Sequence, residues 1–124
     1  AAGENACTAF EFKKMMEASS IDYAQPSVTK VGGITEFRKI ATLCEVYGVQ
    51  LMPHSPYFGP GFLATLHLSQ AIPNSGMIER IFIEPETNLY GNSTYDPVNG
   101  AFGAPGGNGL GLEPDIDVLK TYRV

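Results

Sequence analysis

The sequence predicts an α/β fold in which parallel strands alternate with helices. Three observations carry that expectation. Strand-like and helix-like segments follow one another at βαβ spacing. Proline or glycine closes most of the segments. The clearest helical segment, around Phe37, Ile40, Ala41 and Cys44, carries its apolar residues at helical spacing.

Residues 1–3 form a strand stub. Thr8 and Glu11 match a capping box, a hydroxyl with a Glu three residues on, and open a helix running to about Ala18. Phe12, Met15 and Met16 give that helix its apolar face. Residues 21–25 (IDYAQ) are a strand candidate stopped by Pro26. Gly32 and Gly33 make a turn, Thr35 is a candidate cap, and the next helix ends near Tyr47 at Gly48. Residues 49–52 read as a second strand, ended by Pro53. A loop, HSPYFGP, leads into an apolar helix over residues 62–71. After a turn at residues 73–76, residues 77–83 (MIERIFI) contain a third strand. Seven of the 14 glycines then fall between Gly91 and Gly111, which predicts irregular chain draped over a surface. The last stretch, residues 112–124, recovers a short helix or a strand.

At 124 residues the chain is long enough for one domain and too short for two. Apolar residues make up 44% and charged ones 17%, a globular balance. Eight basic against 13 acidic side chains leave a net charge of −5, which argues against nucleic acid as a partner. No apolar run approaches the ~18 residues of a membrane span, so no membrane partner is expected. The N-terminus lacks a charged region followed by an apolar core, so no secretory signal is visible and a cytoplasmic location is expected. Cys7 and Cys44 lack metal-type spacing and both fall in segments that read as helical. Buried free thiols in a reducing compartment are the expectation.

Four polar residues occupy equivalent places in this pattern: Glu4, Ser27, His54 and Glu79 each lie at or just past the C-terminal end of a strand. In parallel α/β folds those ends converge on one face, where sites form. Two carboxylates, a hydroxyl and an imidazole on one rim could bind a cation and move protons. Plainer readings stand beside this one. Glu4 can be solvated surface, Ser27 a turn residue, His54 a packed loop histidine, and Glu79 the ion-pair partner of Arg80. His67, inside an apolar helix, reads as a satisfied imidazole rather than a ligand. Tyr57 can line a substrate pocket or simply pack in its loop.

The local wording adds a resemblance. GEN at residues 3–5, QPSVTKVGGITE at 25–36, PHSP at 53–56 and IERI at 78–81 resemble the mandelate racemase and muconate lactonizing enzyme family of the enolase superfamily. The tail, GLGLEPDIDVLKTYRV, is similar to that family's C-terminal segment. The resemblance implies the C-terminal half of a TIM-type barrel, from the end of the fifth strand through the eighth, over residues 1–83. Residues 84–124 would then pack on the barrel and on a capping domain that this chain lacks. It implies removal of the proton α to a carboxylate, from an acid sugar or 2-hydroxy acid, with Mg²⁺ stabilising the enediolate. Glu4 matches the third metal ligand, His54 the general acid/base, and Glu79 the acid that binds the substrate carboxylate.

Two departures qualify this. The family's Asp after the sixth strand, which pairs with the His, is here Ser27. A hydroxyl orients an imidazole N–H but does not stabilise the imidazolium as a carboxylate does, so His54 is expected to be a weaker base. A dehydration tolerates that loss better than a two-base racemisation. The second departure is length, since a TIM-type barrel takes ~250 residues. The first two metal ligands, the base on the second strand and the cap would lie upstream of Ala1. A lone Glu4 would hold Mg²⁺ poorly. The expected object is a fragment of an enzyme, inactive by itself. Its open parallel edges are expected to drive association into a homo-oligomer, and a catalytically incompetent half-barrel that only self-associates is the alternative.

Overall fold

Thr8 starts the first helix as the sequence predicts. In the computed structural model, which describes residues 1–91 and 96–123, α1 spans Ala9–Glu17 with Thr8 as its N-cap. The Glu11 N–H donates to the Thr8 hydroxyl at 3.4 Å, and Glu11 Oε2 accepts from the N–H groups of Thr8 and Cys7, both at 2.9 Å. The Cys7 N–H, then the Thr8 hydroxyl, hold the exposed Glu11 carboxyl below its usual value of 4.5. This contribution to α1 is therefore present above 4.5 and fades as pH falls through the lowered value. Phe12 and Met16 bury the inner face of α1, with Met15 at its margin.

β1, Tyr23–Ala24, and β2, Gln50–Leu51, pair in parallel with Tyr23 opposite Gln50 and Ala24 opposite Leu51. Ala2 bridges Ala24 in parallel on one side, and Ser75 bridges Leu51 in parallel on the other. The order across the sheet is thus Ala2, β1, β2, Ser75. Pro26 and Pro53, both fully buried, limit the two strands because neither carries a ladder donor.

The third strand expected over residues 77–83 does not form; pairing falls earlier. Leu51 N–H donates to Asn74 O at 3.1 Å, and Gly76 N–H donates to Leu51 O at 2.7 Å. The N–H groups of Met52 and His54 point the other way, to Ala24 O and Pro26 O. The next donor toward residues 77–83 would be that of residue 53, a proline. The ladder stops there for want of an N–H.

α2, Ile34–Tyr47, begins one residue before the Thr35 cap that the sequence suggested. Gly32 and Gly33 both have φ near +90°, a left-handed entry that leaves Gly33 at the cap and Thr35 inside the first turn. Phe37, Ile40, Ala41 and Cys44 form the buried stripe as expected, and Gly48 ends the helix at φ 66°. α3, Pro60–Ala71, starts two residues earlier than predicted because Pro60 suits the first helical turn. α1 packs on α2 and α2 on α3, closing a core around Phe12, Phe37, Ile40, Leu51 and Leu68.

Residues 84–115 hold no helix or longer strand among the described residues, only a bridge between Val98 and Ala101. Phe102 meets Phe62 of α3 edge to face at 5.4 Å. Of the two forms left open for the last stretch, a helix is found: α4, Ile116–Thr121, capped by the Asp115 carboxylate. Among the described residues no helix is long and apolar enough to cross a membrane.

The cysteines differ from expectation. Cys44 is buried, but Cys7 lies ahead of the Thr8 cap, outside the helix and exposed. Burial pushes the Cys44 thiol up to about 12. Its neutral form is favoured by the fold, so this contribution is complete below 9.0 and is lost as pH rises towards about 12. N-ethylmaleimide at neutral pH is therefore expected to add once to the native chain, at Cys7, and a second time only in denaturant. Mass spectrometry showing two adducts under native conditions would contradict the burial of Cys44.

Candidate functional site

The parallel arrangement carries four chain segments to one rim, and each predicted polar residue leaves its segment there. Glu4 follows the Ala2 bridge, Ser27 follows β1, His54 follows β2, and Glu79 follows the Ser75 bridge. Pro26 and Pro53 precede Ser27 and His54 directly, and a last backbone bond from His54 N–H to Pro26 O holds the two strand ends together.

His54 and Glu79 meet directly. Glu79 Oε2 lies 2.7 Å from His54 Nδ1, with the imidazole mostly covered and the carboxylate 43% exposed. A carboxylate accepts, so Nδ1 carries the proton and Nε2 is the ring atom left to exchange one. The expected alternative partner of Glu79, Arg80, is engaged elsewhere: it pairs with Asp96 at 2.9 Å and stacks on Phe82.

Ser55, which sequence reasoning passed over, ties the two loops together. It is fully buried, and its hydroxyl donates to the Glu79 backbone carbonyl at 2.6 Å. The available signal was its place between Pro53 and Pro56, directly after His54, where a hydroxyl in a rigid loop needs a partner.

The other predicted residues join this pair less closely. Ser27 is buried, and its Oγ lies 2.9 Å from Thr29 Oγ1. Its loop reaches His54 through the backbone, where the His54 N–H donates to Pro26 O at 3.2 Å. No carboxylate reaches the imidazole from residue 27; the one beside it is that of Glu79. Glu4 is bound locally: Gly3 N–H donates to Oε2 at 3.2 Å and Asn5 Nδ2 to Oε1 at 3.3 Å. Lys30 fastens the Ser27 loop to this end of the rim, donating to Glu4 O at 2.9 Å and to Asn5 Oδ1 at 3.2 Å. Tyr57 packs against the main core and against a smaller cluster formed by Phe62 and Leu66 of α3, with its hydroxyl 3.2 Å from Thr65 Oγ1. His67 is the satisfied imidazole that was expected, with Nε2 3.0 Å from Leu110 O. A surface hollow of about 300 Å³ is walled by Arg80, Asp96, Phe58 and Glu84, not by His54 or Glu79.

A family model described as enolase C-terminal domain-like matches residues 1–118. The chain belongs to that family. D-galactonate dehydratase of Xanthomonas oryzae pv. oryzae (strain PXO99A) is 35% identical over 127 residues, covering 97% of this chain and 33% of the relative. A mandelate racemase/muconate lactonizing enzyme from Sulfitobacter sp. superposes with a TM-score of 0.84 at 34% identity, covering 97% of this chain and 30% of that one. An enolase from Agrobacterium radiobacter, solved with sodium and L-malate bound, gives 0.72 at 26% identity, covering 96% and 34%. The chain spans about a third of the length of the curated relatives it matches. As an enolase C-terminal domain, it has the α/β architecture of a barrel half, with the parallel order and rim described above.

Enolase-family chemistry implies Mg²⁺, and the residues present do not fit it by themselves. Among the described residues no three His, Cys, Asp or Glu side chains come together in a way that could hold a metal ion. Glu4 is the one predicted ligand, and both its oxygens already accept hydrogen bonds from neighbours. A hard cation needs several oxygen donors.

Proposed function

We propose that this chain is the C-terminal part of an enzyme that removes the proton α to a carboxylate, of the acid-sugar dehydratase type. The observation that carries this is the His54–Glu79 pair at the C-terminal rim of a parallel sheet in an enolase-family chain. The name of the Xanthomonas relative and the L-malate of the Agrobacterium one support a hydroxylated carboxylic acid as substrate. In the dehydration, the α-proton passes to a base outside this chain. The β-hydroxyl leaves as water with a proton from Nε2 of His54 in its imidazolium form, taken up from solvent beforehand, which returns the ring to the neutral Nδ1–H form; the resulting enol becomes a 2-keto acid. Residues 1–83 would be the barrel part and residues 84–124, of which 92–95 and 124 lie outside the described residues, the segment that covers it. Glu4 would be a metal ligand only with donors from outside the chain, and Tyr57 would contact substrate by its ring, since its hydroxyl is bonded to Thr65.

The test is a screen of acid sugars and 2-hydroxy acids with the chain joined to an upstream barrel half, reading 2-keto acid formation. A folded barrel that forms none from any of them sinks the proposal.

A second reading, self-association of the chain alone, is favoured by one observation. The two outer segments of the sheet have no further partner among the described residues, and beside one of them Met77 and Phe82 are 73% and 84% exposed. Such edges pair with other chains. Light scattering at micromolar concentration is expected to give a mass above 13.3 kDa, and a monodisperse monomer would exclude this reading.

A further inference from the structure

Of the two loops that flank His54 at the rim, one carries Ser27 and the other Glu79. The Ser27 hydroxyl is buried and lies 2.9 Å from Thr29 Oγ1, and only a backbone bond from His54 N–H to Pro26 O joins that loop to the imidazole residue. The Glu79 carboxylate sits on Nδ1 at 2.7 Å, and the buried Ser55 hydroxyl fixes the Glu79 backbone at 2.6 Å from the residue next to His54. We infer that Glu79 is the positioning residue of His54: it fixes the Nδ1–H tautomer, and the Ser27 side has no part in this. The inference rests on the proposed function for its catalytic meaning, but the pairing itself does not.

The consequence is an exchange of duties at the rim. A carboxylate engaged on an imidazole N–H has one oxygen fewer for a substrate carboxylate, and it also stabilises an imidazolium formed when Nε2 takes a proton. His54 is thereby equipped to give and to take a proton, although residue 27 is a serine.

The chain contains its own reference, since it has two histidines. His67 Nε2 faces the Leu110 carbonyl, which only accepts, so His67 is the Nε2–H tautomer. Long-range proton–nitrogen correlation spectra of the ¹⁵N-labelled chain, at a pH where both rings are neutral, read the two tautomers directly. His67→Gln assigns the signals. The expected result is Nδ1–H for His54 and Nε2–H for His67. Glu79→Ala is expected to move His54 to the Nε2–H form that free imidazole favours, and Ser27→Ala to leave it unchanged. An Nε2–H pattern for His54 in the unsubstituted chain overturns the inference, as does a His54 that ignores Glu79→Ala or follows Ser27→Ala. The unsubstituted spectrum decides the matter even where a variant fails to fold. Turnover is not needed: Nδ1–H without 2-keto acid formation defeats the proposed function alone, and Nε2–H with product formation defeats this inference alone.

Discussion

His54→Gln is expected to slow 2-keto acid formation by about 10²–10⁴-fold, the usual contribution of a positioned proton donor. Gln keeps the length of the side chain and a hydrogen-bonding end, but its amide does not exchange a proton near neutral pH. The loss should therefore appear in kcat, with KM changed little, because the imidazole acts on a proton in flight rather than on the resting substrate. His54 is partly covered and lies in a loop, so the fold should survive, and an unchanged circular dichroism spectrum is the control. Under the same assay Glu79→Ala should lose more than Ser27→Ala, since Glu79 touches the imidazole at 2.7 Å and the Ser27 hydroxyl is taken up by Thr29. A His54→Gln enzyme within threefold of the unsubstituted one would show that the proton moves elsewhere.

What the sequence revealed depended on how local the deciding contact was. The start of α1 was legible because Thr8 and Glu11 settle it within one turn. The same cap excluded Cys7 from the helix, a consequence that reading the segment as merely helical overlooked. The stripe of Phe37, Ile40, Ala41 and Cys44 was legible from period alone, since burial follows helical spacing directly. The third strand was misplaced because its register is decided on another segment, where Pro53 has no N–H to offer residues beyond Gly76. At the rim, His54 and Glu79 were found by their motifs and by their places after strands. Their direct pairing was not legible, because it goes with a buried Ser55 hydroxyl that ties the His54 loop to the Glu79 backbone. Such contacts join loops far apart in the chain, and residue type alone does not specify them.

Gly3→Ala is expected to destabilise the chain by about 3 kcal/mol, combining a glycine-only backbone with overpacking of the core. Gly3 has φ +126°, a region that L side chains rarely adopt. A Cβ there would also run into the Phe12 ring, 2.8 Å from Cζ, and stand 3.3 Å from the Gln25 N. Neither neighbour yields easily. The Phe12 ring is fully buried in the core, and the Gln25 N–H donates to Ala2 O at 2.9 Å as part of the sheet. Gly48→Ala provides the contrast, because Gly48 also has positive φ, +66°, but nothing lies within 4 Å of its added Cβ. That variant should lose only about 1 kcal/mol, the backbone cost alone. Urea midpoints of the two variants measure the difference, which isolates the contact between the Glu4 strand end and α1. A domain of this size is stable by about 5–15 kcal/mol, so the Gly3 variant keeps only part of its margin. Equal midpoints for the two would mean that Phe12 is free to move aside, and that the strand end carrying Glu4 is not held by the core.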